Sequence, residues 1–350
     1  MTDRAIPRAL LSLLTVAAAV VALAGIKAVD SIVGPVVLAL VLTIAVSPIR
    51  DLLRRRNAPH WLVVAVPLAT VITMLLGMVA ILTTAVVQMA VLLPGYAPQF
   101  NQLTADAQKW AAERGIEPQV NKALQSIDPG KIFTLAQGLL SSVLGVVSSL
   151  FLIVVLLLAM SLDAPIMTRV IAAAEAERPA LTSALTTFAR RTRRYILVST
   201  IFGLVCAALD VVALYFLRVP LPLLWGVLAL ITNYIPNIGF VIGLVPPAIL
   251  GLLTGGPKTM IFVIVAYMVI NIVVQSFIQP KFLGDAVGLT TTVTFLSLIL
   301  WATVLGPLGA LLAIPLTLLA RALLIDSDPR AKWSGALVSG EPPAGSSRPG

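Results

Sequence analysis

The chain has 350 residues, of which 59% are hydrophobic and only 11% charged, and its mean hydropathy is +1.02. Soluble domains carry about 25% charged residues, so this composition excludes a water-soluble globule of this size and leaves the lipid bilayer as the natural solvent. The net charge of +9 does not point to nucleic acid, because the basic residues sit in short clusters between apolar runs, the pattern that orients membrane proteins; a single cysteine, Cys206, and a single histidine, His60, also exclude an intrachain disulfide and a Cys/His metal site.

A helix that crosses the hydrocarbon needs about 20 mostly apolar residues. Runs of about that length or more occupy 8–26, 32–49, 61–92, 138–162, 196–217, 221–253, 258–280 and 292–320. Each is expected to be helical, since an open strand would leave backbone groups unpaired in lipid. The fold class expected is therefore an all-α polytopic membrane protein of about eight transmembrane helices, broken or kinked in the C-terminal half. Residues 1–93 hold the first three helices. Residues 94–137 read as an extracytoplasmic amphipathic insertion, 138–162 as the fourth helix, and 163–195 as a cytoplasmic helical linker. Residues 196–325 form a core of helices five to eight, and 326–350 a disordered cytoplasmic tail rich in Pro, Gly and Ser.

The first run contains Ala22-Leu23-Ala24, which resembles a signal-peptidase site. It is long for a signal h-region and a second run follows almost at once, so it reads as a membrane helix. With a cytoplasmic N-terminus and eight crossings, Arg4, Arg8, the cluster Arg50 to Arg56, the arginines between 169 and 194, Lys258 and the basic residues after 320 all lie inside. Lys27, Lys109, Arg114, Lys122, Lys131, Arg218 and Lys281 lie outside. That bias places both termini in the cytoplasm, in the inner or plasma membrane. A re-entrant hairpin at 221–253, which contains Pro236, Pro246 and Pro247, would invert the later segments and weaken the bias.

Four features could carry function. Asp210 sits in the middle of the run 196–217. An acid at that depth is costly and faces a cavity or a partner. It is a possible proton or cation site, with a structural hydrogen bond to a neighbouring helix as the competing reading. The segment Asn233-Tyr234-Ile235-Pro236-Asn237-Ile238-Gly239 breaks the run 221–253. Proline removes a backbone donor, glycine permits close approach, and the freed carbonyls need protein, water or solute as partner. Broken helices of this kind build substrate sites in transporters; a packing kink is the alternative. Asn271, Gln275 and Gln279 are spaced four apart, so on a helix they share a face and could either bind a neutral polar solute or glue helices together. Thr291, among the threonines that open the last run, lines a pore mouth or helps cap the helix. No P-loop, Gly-x-Ser-x-Gly or His-Glu-x-x-His occurs in the sequence, so an enzyme is not expected, nor any cofactor.

The stretches Asn233–Gly239, Gln279-Pro280-Lys281-Phe282-Leu283-Gly284 and Gly306-Pro307-Leu308-Gly309 through Pro315 resemble, in order and spacing, the autoinducer-2 exporter family of bacterial membrane proteins. The resemblance implies eight membrane segments, cytoplasmic termini, a homo-oligomer with a pentamer as the expected count, and export without a cofactor. The family is functionally mixed and includes members that look like sodium/proton antiporters. Two departures stand out: threonine where many members carry proline near Thr291, and Asp210 itself. The expected function is export of a small polar solute of the autoinducer-2 type. A cation antiporter using Asp210 and a non-transporting membrane scaffold are the alternatives. The expected partners are the bilayer, a small polar solute and further copies of the chain.

Overall fold

Leu, Val, Ile and Ala dominate the apolar runs, and in the computed structural model these runs are helical. The structure describes residues 8–115, 129–236, 238–279, 288–328 and 338, which leaves Asn237 and most of the expected tail outside the described residues. The helices are α1 (Arg8–Ala28), α2 (Asp30–Ala45), α3 (Ser47–Arg55), α4 (His60–Leu92), α5 (Ala97–Ala112), α6 (Pro129–Ala173), α7 (Pro179–Phe216), α8 (Pro222–Thr232), α9 (Gly239–Asn271), α10 (Thr291–Leu311) and α11 (Ala313–Arg321). A π-helical segment, Ile272–Ile278, continues α9. Among the described residues six stretches are long and apolar enough to cross a membrane, and two shorter apolar helices, Leu13–Ala28 and Pro222–Thr232, accompany them. Large apolar side chains such as Phe151, Phe262, Phe277 and Ile299 stand on the outside, as a lipid-facing surface requires.

The segment 163–195 is not a separate helix. α6 runs on to Ala173 and α7 already begins at Pro179, so two long helices extend past the expected membrane limits and meet at a short turn. The Ala-rich sequence there has high helix propensity, α6 carries Pro165 without ending, and the turn falls at 174–177, just before Pro179 opens α7.

The described residues fall into two compact units, one drawn from 1–47, 155–193 and 285–350, the other from 48–154 and 194–284. The second unit is organised by chain reversals. α7 ends with Arg218 in the left-handed region and a hydrogen bond from Val219 N to Leu214 O, the 6→1 closure of a Schellman cap. Leu221 is also left-handed, Pro222 opens α8, and Trp225 Nε1 donates to Pro220 O at 2.9 Å. α8 has only 11 residues, about 17 Å against roughly 30 Å of hydrocarbon. The chain then turns through 233–238 and returns as α9. The run 221–253 is thus a hairpin rather than one crossing helix.

Gly239 makes that hairpin possible. A Cβ on Gly239 would lie 1.8 Å from the carbonyl oxygen of Thr232, so only glycine fits. The turn satisfies its own backbone, with Ile235 N to Thr232 O at 2.8 Å and Gly239 N to Ile235 O at 3.1 Å. A second reversal follows at Gly256, with φ 73° and ψ −170°, a region open essentially to glycine alone. Its consequence is direct: Gly251 packs against Val263 and Thr259, a contact that a straight helix could not make. Pro257 starts the next arm, the position where a missing N–H is harmless. Leu214, Val219, Leu224, Trp225, Ala248, Leu250, Val263 and Tyr267 form the buried core of this unit.

The first unit repeats the device. Gly306 has φ 63° and ψ −145° and precedes Pro307. Gly309 comes so close to Trp301 O that a Cβ would sit 1.9 Å away, and Trp301 Nε1 donates to Thr317 Oγ1 at 3.1 Å. Arg321 Nη1 donates to Gly288 O, 33 residues away; a straight helix would hold those ends about 50 Å apart. The run 292–320 is therefore a second hairpin, and Leu308 packs on Gly34 of α2.

Replacement of Gly239 by Ala is expected to cost about 3 kcal/mol or more, because the clash is with backbone that cannot rotate away. Gly25→Ala in α1, where nothing lies within 4 Å of the added carbon, is expected to change stability by no more than about 1 kcal/mol. Denaturant unfolding of both variants in micelles makes the comparison.

Candidate functional site

The polar residues of the second unit converge because three reversals bring their helices together. On α7, Ser199, Gly203, Cys206 and Asp210 recur at helical spacing and so share a face. Gly203 leaves room for Asn233: a Cβ there would lie 2.9 Å from Asn233 Nδ2 and 3.0 Å from Leu230. Asn233 ends α8, and Asn271 ends α9. Gln275 lies inside the π segment that follows, a wide-turn element often found at functional sites.

A chain of amides ties these elements together. Asn233 Nδ2 donates to Ser199 O at 2.9 Å. Gln275 Nε2 donates to Asn233 Oδ1 at 2.9 Å and to Asn271 Oδ1 at 2.7 Å. Asn271 Nδ2 donates to Tyr267 O at 2.9 Å. The turn is held a second time through Tyr234. Its carbonyl accepts from Tyr195 Oη at 2.9 Å, and its hydroxyl lies 2.6 Å from Thr200 Oγ1. Thr200 gives its own proton to Ile196 O at 2.7 Å, so Tyr234 is the donor in that pair.

Beside the amide chain lies a narrow cleft with room inside for about one water-sized body. Asp210, Thr232, Asn233, Tyr267, Asn271 and Gln275 supply its polar lining, and Cys206, Ala229, Phe240 and Gly243 the remainder. Of the residues singled out in the sequence, Asp210, Asn233, Asn271 and Gln275 meet here. Tyr234, Pro236 and Gly239 shape the turn beside it. Gln279, four residues further on, is not among the lining residues. Thr291 belongs to the first unit, where it is the exposed first residue of α10, while Thr290 Oγ1 accepts from Val293 N at 3.3 Å as the helix cap.

Tyr267 and Thr232 were not apparent from the sequence. Tyr267 could have been found, since it stands four residues before Asn271 and extends the polar stripe by one turn. Thr232 gives no such signal, because its position depends on the hairpin.

The described residues form an all-helical, multi-pass membrane protein with polar side chains gathered at a cleft between apolar helices, an arrangement that transporters use. The sequence matches the AI-2E family transporter pattern over residues 16–327, and the chain belongs to that family. It is 29% identical to the AI-2 transport protein TqsA of Escherichia coli over 313 residues, 87% of this chain and 89% of that protein. It is 29% identical to a putative transport protein of Haemophilus influenzae over 92% of this chain and 94% of the other. It is 27% identical to the putative transport protein YhhT of Escherichia coli over 94% and 95%. All three are described as transport proteins.

The Asn233–Gln275 bond is expected to show up as coupling. A double-mutant cycle of Asn233→Ala and Gln275→Ala, read by unfolding in bicelles, should give an interaction energy of about 0.6 kcal/mol, the average for hydrogen bonds between membrane helices.

Proposed function

We propose that this chain exports a small, neutral, polar solute across the inner or plasma membrane by way of the Asn233–Asn271–Gln275 cleft, and that the solute is of the autoinducer-2 type, the cargo given in the name of TqsA. The observation that carries the reading is the amide chain itself. Its members come from separate arms of the helical unit and bond both to one another and to backbone carbonyls. A solute bearing hydroxyl or carbonyl groups can replace those bonds one for one, at little net cost. Uncharged amides suit an uncharged cargo. The working state is a homo-oligomer, as the family resemblance implies.

The two Gly-Pro reversals also support a definite sidedness. Each returns the chain to the face from which it came, so Lys258, at the tip of its hairpin, lies outside and Arg321 inside.

Purified protein in liposomes loaded with labelled autoinducer-2 is expected to release it faster than protein-free liposomes. Gln275→Leu and Asn271→Leu should each slow the initial rate by about tenfold while helix content holds. Unchanged efflux in both variants would remove the cleft from the pathway. For sidedness, Lys258→Cys should react with an impermeant maleimide added to intact cells, and Ser327→Cys only after the membrane is opened.

A further inference from the structure

Three non-glycine residues among those described have a left-handed backbone. Two of them, Arg218 with φ 56° and Leu221 with φ 58°, lie where α7 gives way to α8. The cap at that point closes through backbone alone, with Val219 N donating to Leu214 O and Arg218 N to Tyr215 O. Glycine is the usual occupant of such a position, and a residue with a Cβ holds it at a cost. The cap does not need a guanidinium, so the reason for arginine lies outside the turn.

Arg218 lines an open groove together with Tyr215, Phe216, Val219 and Pro222. The floor is fixed. Val219 is buried, Pro222 stands in the first turn of α8, and Trp225 Nε1 ties down Pro220 O at 2.9 Å. The walls are bare: Tyr215 is 72% and Phe216 78% exposed, with their rings edge to face at 6.0 Å. No carboxylate lines the groove, and among the described residues Arg218 makes no ion pair.

The groove therefore sets two demands. The charge calls for an anion, and a guanidinium grips phosphate through two parallel N–H bonds. The rings call for apolar cover, which a dissolved phosphate would not give. A phospholipid meets both, with its phosphodiester on Arg218 and its glycerol and upper acyl chain against the rings. The place agrees, because the end of the apolar run 196–217 is where aromatic and arginine side chains meet the headgroup layer. A zwitterionic headgroup would bring a cation of its own, and the groove has no acid to receive it.

We propose that the groove at the α7–α8 junction binds the headgroup of one anionic phospholipid, with its phosphate on Arg218. The site stands independently of the export reading.

The test uses full-length protein stripped of lipid in micelles and titrated with phosphatidylglycerol, phosphatidylcholine or inorganic phosphate, with bound adducts counted by native mass spectrometry. One phosphatidylglycerol per chain is expected to bind more tightly than phosphatidylcholine. Arg218→Gly should weaken it about fivefold, the loss of one cation at an anionic surface. Glycine suits φ 56° better than arginine, so this variant should unfold at no lower denaturant than the wild type. Lys258→Gln removes an equal charge at another exposed position of the same unit and should bind as the wild type does. Phe216→Ala, with Arg218 intact, should weaken the lipid and keeps the test decisive should Arg218→Gly not fold. The proposal is overturned if Arg218→Gly retains wild-type binding, or if Lys258→Gln loses as much, which would mean diffuse charge. Displacement of the lipid by inorganic phosphate at equal concentration would make the site an ion site and overturn it too. So would an Arg218→Cys thiol shielded from maleimide in the lipid-free protein, which would show a second copy of the chain covering the groove.

Discussion

A peptide group at bilayer depth has no water to bond to, and the architecture follows from how this chain meets that constraint where its helices stop. At the α8–α9 turn the carbonyl of Thr232 takes Ile235 N and lies against Gly239 so closely that no side chain could intervene. That contact fixes the angle at which α9 returns. The angle sets Asn233 opposite Gln275, and the side chains then finish the accounting: Asn233 covers Ser199 O, Tyr195 covers Tyr234 O, and Asn271 covers Tyr267 O. The polar groups of the cleft therefore begin as the means by which a broken helix satisfies its own backbone.

The same requirement explains which parts of the fold could be read in the sequence. Helix needs only apolar length, so the runs and the class of protein were legible from hydropathy. Direction was harder. A straight helix and a hairpin of the same run bury the same residues in the same solvent, and hydropathy cannot separate them. The sign that does separate them is local: Gly255-Gly256-Pro257 and Gly306-Pro307 each place a glycine, free to enter φ above +60° with ψ near ±150–180°, directly before a proline suited to the first turn of a new helix. Read as kinks, these pairs suggest bent spans. Read as reversals, they account for Arg321 reaching Gly288. The stretch 163–195 was read as helical, but the sequence did not show that it belongs to α6 and α7 rather than to a helix of its own, because Pro165, which α6 carries without ending, looks like a boundary.

The site was legible to the extent that it depends on spacing. Asn271 and Gln275 do bond, as residues four apart on one helix should. The rule goes no further, since Gln279 is not among the lining residues although it follows the same wide-wound segment that carries Gln275. Nothing in a single sequence of apolar residues marks a π segment. Asn233 and Ser199 were separated by 34 residues, and Gly203, which makes their approach possible, looks in the sequence like any small residue in a membrane helix.

Two kinds of polar chemistry now stand side by side in one unit. The amides Asn233, Asn271 and Gln275 are bonded, neutral and exchangeable. Asp210 and Tyr267 are buried and unpaired. A chain that needed only glue between helices would gain nothing from the second kind, since an apolar pair of similar shape packs as well without the desolvation cost. A chain that needed only a passage for a neutral solute would gain nothing from an acid either, because a carboxylate does not improve on an amide for an uncharged cargo and brings a charge that must be offset. The amides alone meet the demand of a neutral cargo, and Asp210 is the one acid of the cleft, whose burial they do not offset.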